Sequence, residues 1–180
     1  MCNACSQCSK RPNILLIFAD DIGTGDVPGY WGNTNNGIVD MPNIYDLVTK
    51  GVTFTDAHAE VLCAPSRYAL LSGNRMLKGR GFNGMWGIKK SGKVENAFLP
   101  DQKTLPQILQ ESGNYDTFMA GKWHLGGGVP RNGNFDREHI LTSPSHDWTQ
   151  PIVNGPTDIG FSSSYITPSG IQGGPYAFFR

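Results

Sequence analysis

The chain has 180 residues, of which 38% are hydrophobic and 17% are charged, and its formal net charge at pH 7 is +0. This length and composition predict one globular domain with a substantial apolar core. The balanced charge excludes a general attraction to nucleic acid or to anionic membranes, and no apolar run in the sequence is long enough to span a bilayer. We therefore expect no nucleic-acid partner and no membrane partner.

The first ten residues carry three of the four cysteines, Cys2, Cys5 and Cys8, in a Cys-x-x-Cys-x-x-Cys spacing. This spacing is typical of iron–sulfur or zinc sites, but the fourth cysteine of a ferredoxin-type run would fall where Pro12 stands. The segment also lacks the apolar centre that a signal peptide carries. We expect residues 1–10 to be a disordered leader, with metal binding as the alternative.

A short apolar run over residues 11–21 stops abruptly at the carboxylates of Asp20 and Asp21. It predicts a buried parallel strand whose carboxyl end would lie where open α/β sheets collect their ligands. Adjacent carboxylates repel each other, and a hard divalent cation such as calcium would relieve that repulsion. The alternative is a solvated turn, because Gly23 and Gly25 follow directly. The residues alone leave both interpretations open.

Apolar side chains at helical spacing predict a helix over residues 42–50, and residues 52–55 then predict a strand. A second helix is expected after Thr104, which forms a capping-box pattern with Gln107. Gly113 should end this helix, and another strand should begin near residue 115. Alternation of strands and helices indicates an α/β fold with a mainly parallel sheet covered by helices.

Residues 63–73 place a thiol beside a cation at a predicted helix start. Pro65 suits the first helical turn, and Gly73 suits the left-handed position after the last turn. Cys63 would then lie at the helix N-terminus, where free backbone N–H groups favour an anion, and Arg67 adds a positive charge one turn later. This arrangement indicates an anion site that contains a nucleophile. A small buried cysteine is the structural alternative.

Lys122 and His124 lie two residues apart in a segment expected to be extended, and would then face the same side. An ammonium binds anionic oxygens as a point charge, and imidazole is the usual proton acceptor near neutral pH. The alternatives are a structural histidine and a surface cation–π pair between Lys122 and Trp123.

Three segments, in order along the chain, resemble the type I sulfatases. Residues 63–73 resemble the family's signature, and the cysteine of its C-x-P-S-R motif is oxidised to formylglycine by a formylglycine-generating enzyme. Residues 20–26 are similar to its paired metal-binding aspartates and the glycine loop after them, and residues 121–126 are similar to a second signature. The resemblance implies an alkaline phosphatase/sulfatase-like fold and hydrolysis of sulfuric esters, with a sulfated small molecule or glycan as the substrate.

The resemblance also implies roles for single residues. Formylglycine at position 63, together with Asp20 and Asp21, would hold a Ca²⁺ ion. Formylglycine hydrates to a diol, and one hydroxyl would attack the sulfur atom. Arg67 would orient the diol, Lys122 would bind the sulfate oxygens, and His124 would take the proton that drives release of sulfate.

The resemblance covers residues 11–180, but only the first part of the family's fold. The family's other metal ligands, a second lysine and a further histidine lie later in its chains. We therefore expect residues 11–180 to be the N-terminal part of a truncated catalytic domain that is inactive alone. Two alternatives stay open, a formylglycine-dependent phosphonate or phosphodiester hydrolase and a non-catalytic sulfatase fragment. Family members are mostly periplasmic, secreted or lysosomal.

Overall fold

A computed structural model of the chain describes residues 11–27, 40–81, 86, 95–128, 150 and 152–170. The chain divides into two compact units, Met1–His58 and Ala59–Arg180. The expected leader, residues 1–10, lies outside the described residues. Across the ranges that are described, none of the helices combines the length and the apolar character needed to cross a membrane.

The first unit contains a 3-10 helix, Thr24–Asp26, and one α-helix, α1 (Pro42–Lys50). Gly51 follows α1, and its N–H donates to the carbonyl oxygen of Leu47 at 2.8 Å. The helix predicted over residues 42–50, with a glycine directly after it, is therefore confirmed.

Two strand predictions in this unit are wrong. Residues 11–21 and 52–55 belong to no strand, and residues 14–18 are 40% to 85% exposed. An apolar, partly β-branched run favours an extended backbone, but a strand exists only when a neighbouring backbone pairs with it. Within the described ranges, strand pairing is limited to one two-stranded sheet in the second unit, apart from two isolated bridges.

The second unit contains two further helices, α2 (Cys63–Ser72) and α3 (Leu105–Gly113), and two strands, β1 (Phe118–Lys122) and β2 (Ser163–Thr167). The strands pair in parallel, with Phe118 opposite Ser163 and Lys122 opposite Thr167. Because the pairing is parallel, both strands end at the same edge. Residues that follow β1 and β2 are therefore neighbours, although they are distant in sequence.

Local signals set the ends of both helices. Gly73 follows α2 with φ 65°, the left-handed conformation that favours glycine. The Thr104 N–H, ahead of α3, donates to Gln107 Oε1 at 2.9 Å, which confirms the predicted capping box. Gly113 is the last residue of α3, and Asn114 takes the left-handed position after it. The following strand starts at Phe118, three residues later than expected.

A row of aromatic side chains forms the centre of the core. Tyr68 on α2 contacts Trp86 and Phe98 at ring-centroid distances of 4.9 and 5.4 Å, and Phe98 contacts Trp123 at 6.3 Å. The Trp123 side chain is fully buried. Burial of each large aromatic contributes several kcal/mol, on the order of 3–5 when it is truncated to alanine. This packing anchors α2 against the residues that follow β1.

Candidate active site

Cys63 is the first residue of α2 and is half-buried. The preceding residue, Leu62, is extended, and its carbonyl oxygen accepts from the Ser66 N–H at 3.1 Å and from the Ser66 hydroxyl at 2.9 Å. The thiol therefore lies at the helix N-terminus, as predicted from the proline and glycine positions. The Ser66 hydroxyl is engaged with the backbone at this helix start.

The thiol of Cys63 meets the imidazole of His124. Cys63 Sγ lies 3.4 Å from His124 Nδ1 in a partly buried contact. A sulfur–nitrogen distance of this size is within hydrogen-bonding range, and either group can donate, depending on the histidine tautomer. Two motifs far apart in sequence are therefore brought together at one point.

His124 reaches this position by leaving the strand. β1 ends at Lys122, and His124 is left-handed with φ 53°. The expectation that the lysine and the histidine share an extended segment is therefore wrong. The backbone remains tied to the residues after β2, since the Trp123 N–H donates to Thr167 O at 2.8 Å and the His124 N–H donates to Pro168 O at 3.1 Å.

Within residues 121–126, Trp123 and Gly126 have structural roles. The indole N–H of Trp123 donates to the carbonyl oxygen of Gly126 at 2.7 Å. Gly126 has φ 85°, and a Cβ at this position would lie 2.6 Å from the carbonyl oxygen of Glu95. Because Trp123 is fully buried, a surface cation–π pair with Lys122 is excluded.

Arg67 joins α2 to the end of β1. Its side chain is buried, with 8% exposure, and Nη1 donates to the carbonyl oxygen of Lys122 at 2.7 Å. A buried guanidinium is stable only when its donors find acceptors. The sequence predicted a cation one turn after Cys63, and the structure adds that this cation anchors the backbone two residues before His124.

Asp20 and Asp21 lie in the first unit, directly before a turn. Asp20 is half-buried, and Asp21 is exposed with φ 58°. The turn is closed by Asp26, whose Oδ2 accepts from the Gly23 N–H at 2.7 Å. Two adjacent carboxylates are hard oxygen donors of the kind that calcium prefers, but calcium takes about 6–8 such ligands. Among the described residues, no group of three or more His, Cys, Asp or Glu side chains is close enough together to hold a metal ion. The two carboxylates have the donor chemistry that calcium prefers, and alone they are fewer ligands than calcium takes.

Backbone strain marks two of the candidate residues. Four residues other than glycine have positive φ in the described ranges, and two of them are asparagines, Asn114 and Asn154. The other two are Asp21 and His124. A left-handed residue other than glycine costs on the order of 1 kcal/mol or more and is over-represented at functional sites. This strain is independent of the motifs and favours the same residues.

Sequence reasoning missed the residues that hold His124 in place. Pro168 and Gly170 follow β2 and contact the backbone and the ring of His124. Neither residue belongs to a recognisable motif, so the sequence carries no signal for them. They are neighbours of His124 only because β1 and β2 pair in parallel.

Comparison with known proteins identifies the family. Residues 12–163 match the sulfatase family. The chain belongs to the sulfatase family. Arylsulfatase A of Bos taurus is 43% identical over 147 residues, which cover 77% of this chain and 27% of the relative. The N-acetylgalactosamine-6-O-sulfatase of Bacteroides thetaiotaomicron is 36% identical over 173 residues, covering 96% of this chain and 29% of the relative.

A solved structure supports the fold assignment. It comes from work on the locus through which Bacteroides thetaiotaomicron metabolises multiple glycosaminoglycans, and it superposes with a TM-score of 0.67 at 32% identity. The match covers 94% of this chain and 31% of that chain. The expected α/β fold of the alkaline phosphatase/sulfatase type is confirmed. The chain spans less than a third of the length of the relatives described above. Sulfatases in general use formylglycine and a divalent cation.

Proposed function

We propose that this sulfatase chain is part of a sulfuric ester hydrolase that acts through formylglycine formed from Cys63. The observation that carries the proposal is the 3.4 Å contact between Cys63 Sγ and His124 Nδ1 at the N-terminus of α2. Formylglycine retains Cβ of the cysteine, so Sγ stands in for one hydroxyl oxygen of the hydrated aldehyde. Nδ1 would then lie within hydrogen-bond reach of that hydroxyl.

Each residue near position 63 has a proposed role. Once formed and hydrated, formylglycine would supply two hydroxyls. One would bond to sulfur as the ester oxygen leaves with the alcohol, and deprotonation of the other would break the bond between Cβ and the sulfate oxygen and release sulfate. His124 accepts the proton of that second hydroxyl, which its contact with position 63 supports. The guanidinium of Arg67 holds the backbone of Lys122 and places a fixed positive charge near the anionic substrate. Lys122 binds sulfate oxygens through its ammonium.

Calcium is the proposed cation. Asp20, Asp21 and the modified residue 63 would hold it, and it would neutralise the sulfate charge and favour the ionised hydroxyl. Consecutive carboxylates with hard oxygen donors support the choice of metal.

The proposed substrate class is a sulfate ester of a small molecule or of a glycan. A relative whose name specifies N-acetylgalactosamine 6-O-sulfate, matched over 96% of this chain, supports the glycan within that class. Residues 11–180 are proposed to be the N-terminal part of a longer catalytic domain, with residues 1–10 as a leader. The coverage of 27% and 29% of the relatives supports a longer catalytic domain.

Modification of Cys63 is the first test. Coexpression with a formylglycine-generating enzyme, the proposed partner, should convert Cys63 to an aldehyde that reacts with a hydrazide probe. Peptide mass spectrometry should show labelling at position 63 and intact thiols at Cys2, Cys5 and Cys8. Cys63→Ala should abolish labelling. An intact Cys63 thiol, under conditions that convert a control substrate, would refute the assignment.

Turnover is the second test. A longer polypeptide that contains residues 1–180 and spans the length of the relatives should hydrolyse an aryl sulfate in a reaction that Cys63→Ala abolishes. The 180-residue chain should show no turnover above background, even when Cys63 is converted. Preference for a phosphonate ester over the sulfate ester would instead place the protein among the formylglycine-dependent phosphonate hydrolases.

A further inference from the structure

Gly170 lies beside the imidazole of His124. It lies three residues after the end of β2, in the segment whose Pro168 carbonyl oxygen accepts from the His124 N–H. A Cβ built on Gly170 would lie 2.9 Å from Cε1, 3.1 Å from Nδ1 and 3.5 Å from Nε2 of His124. Three ring atoms therefore lie close to the position that the Cβ atom of any other residue would occupy.

Glycine is needed here because the ring leaves no room for a side chain, and not because of the backbone conformation. Gly170 is absent from the glycines with positive φ in the described ranges, so alanine would meet no backbone penalty at this position. Non-bonded carbon atoms are stable at about 3.5–4.0 Å, so a Cβ at 2.9 Å would force a displacement of roughly 0.5 Å or more. Something in the contact would have to move.

The imidazole is the part that can move. The backbone around His124 is held by two hydrogen bonds to the residues after β2, from the Trp123 N–H to Thr167 O and from the His124 N–H to Pro168 O. Rotation of the His124 side chain relieves the clash without breaking either hydrogen bond. Because Nδ1 is one of the clashing atoms and also the atom nearest Cys63 Sγ, that rotation changes the contact with Cys63.

We infer that Gly170 is a positioning residue, because the absence of a side chain leaves the space in which the His124 ring lies against position 63. This inference rests on the proposed function for its catalytic meaning. The geometric claim stands on the cysteine form of the chain and can be tested without turnover. Any side chain at position 170 is then unfavourable because it would collide with the His124 ring, and not because of the backbone conformation.

Nuclear magnetic resonance of the 180-residue chain, at a concentration where sedimentation shows a monomer, tests the geometry directly. The chain has four histidines, so four Hε1 signals are expected, and His124→Ala identifies the one from His124. In the unsubstituted chain, the His124 Hε1 signal should show a nuclear Overhauser effect to the α protons of Gly170 and another to the β protons of Cys63. Gly170→Ala should shift the His124 signal and weaken or abolish its Overhauser effect to Cys63.

Ser163→Ala is the matched control, because it removes only an exposed hydroxyl from β2. It should leave the His124 signal unchanged, and Gly170→Ala should leave the other three histidine signals unchanged. The inference is overturned if the unsubstituted chain shows no Overhauser effect between His124 and Gly170, or if Gly170→Ala moves the His124 signal no more than Ser163→Ala does. If Gly170→Ala prevents folding, the Overhauser effect between His124 and Gly170 in the unsubstituted chain tests the inference by itself. Failure of Cys63 conversion would refute the proposed function and leave this result untouched.

Discussion

Replacing Arg67 by methionine should lower the stability of the second unit by a calculable amount. Methionine keeps most of the apolar length of the side chain, but it lacks the guanidinium and therefore loses the hydrogen bond from Nη1 to the Lys122 carbonyl oxygen at 2.7 Å. A hydrogen bond from a charged donor contributes about 1.5–3 kcal/mol. Removing a buried charge returns part of its desolvation cost, so the lower half of that range is expected.

Lys103→Met is the control for this change. Lys103 is also a cation paired with oxygen, but its side chain and that of its partner Glu111 are 63% and 57% exposed. Exposed ion pairs contribute about 0–1 kcal/mol. The difference between the two variants therefore measures what burial of the Arg67 contact adds.

Urea unfolding followed by tryptophan fluorescence is a suitable assay, since Trp86 and Trp123 are buried in the aromatic core. Arg67→Met should raise the unfolded-to-folded ratio about tenfold or more, whereas Lys103→Met should change it less than about fivefold. Equal losses for the two variants would refute the idea that Arg67 ties α2 to the end of β1.

Three further predictions concern single residues. In the longer polypeptide, Asp21→Asn should weaken calcium binding in calorimetry and cut turnover by several orders of magnitude; unchanged affinity would remove Asp21 from the metal site. In the same polypeptide, His124→Ala should release a stoichiometric burst of alcohol and retain sulfate at residue 63, detected as added mass; steady turnover at the parent rate would contradict its role as the base. Gly73→Ala should cost about 1–2 kcal/mol in urea unfolding, because φ at this position is 65°. Gly25→Ala is its control, since a Cβ there meets nothing within 4 Å and φ is not positive, and it should be close to neutral.

Local signals in the sequence correctly predicted the helices. The proline, glycine and capping-box positions act within one or two turns of the chain, so they set where α1, α2 and α3 begin and end. The position of Cys63 at a helix N-terminus and of a cation one turn later follows from the same short-range rules. Family membership was also readable, because it rests on short motifs in a fixed order.

The wrong strand predictions, for the apolar run within residues 11–21 and for residues 52–55, show what local signals in the sequence do not determine. An apolar run specifies that a segment favours an extended and buried environment, but burial depends on which other segments cover it. In the described ranges these residues are exposed, and pairing joins β1 to β2 instead. The sequence of each segment therefore specified a preference for an extended backbone, but it did not specify which strands pair.

The sequence by itself determined which residue types carry the chemistry: a cysteine, an arginine, a lysine, a histidine and two aspartates, each in its motif. Only the tertiary structure decided that His124 leaves β1 in a left-handed conformation and lies 3.4 Å from Cys63, and that Gly170 faces its ring. The physical reason is parallel pairing. It brings the residues after β2 beside those after β1, and no pattern within either segment specifies that contact.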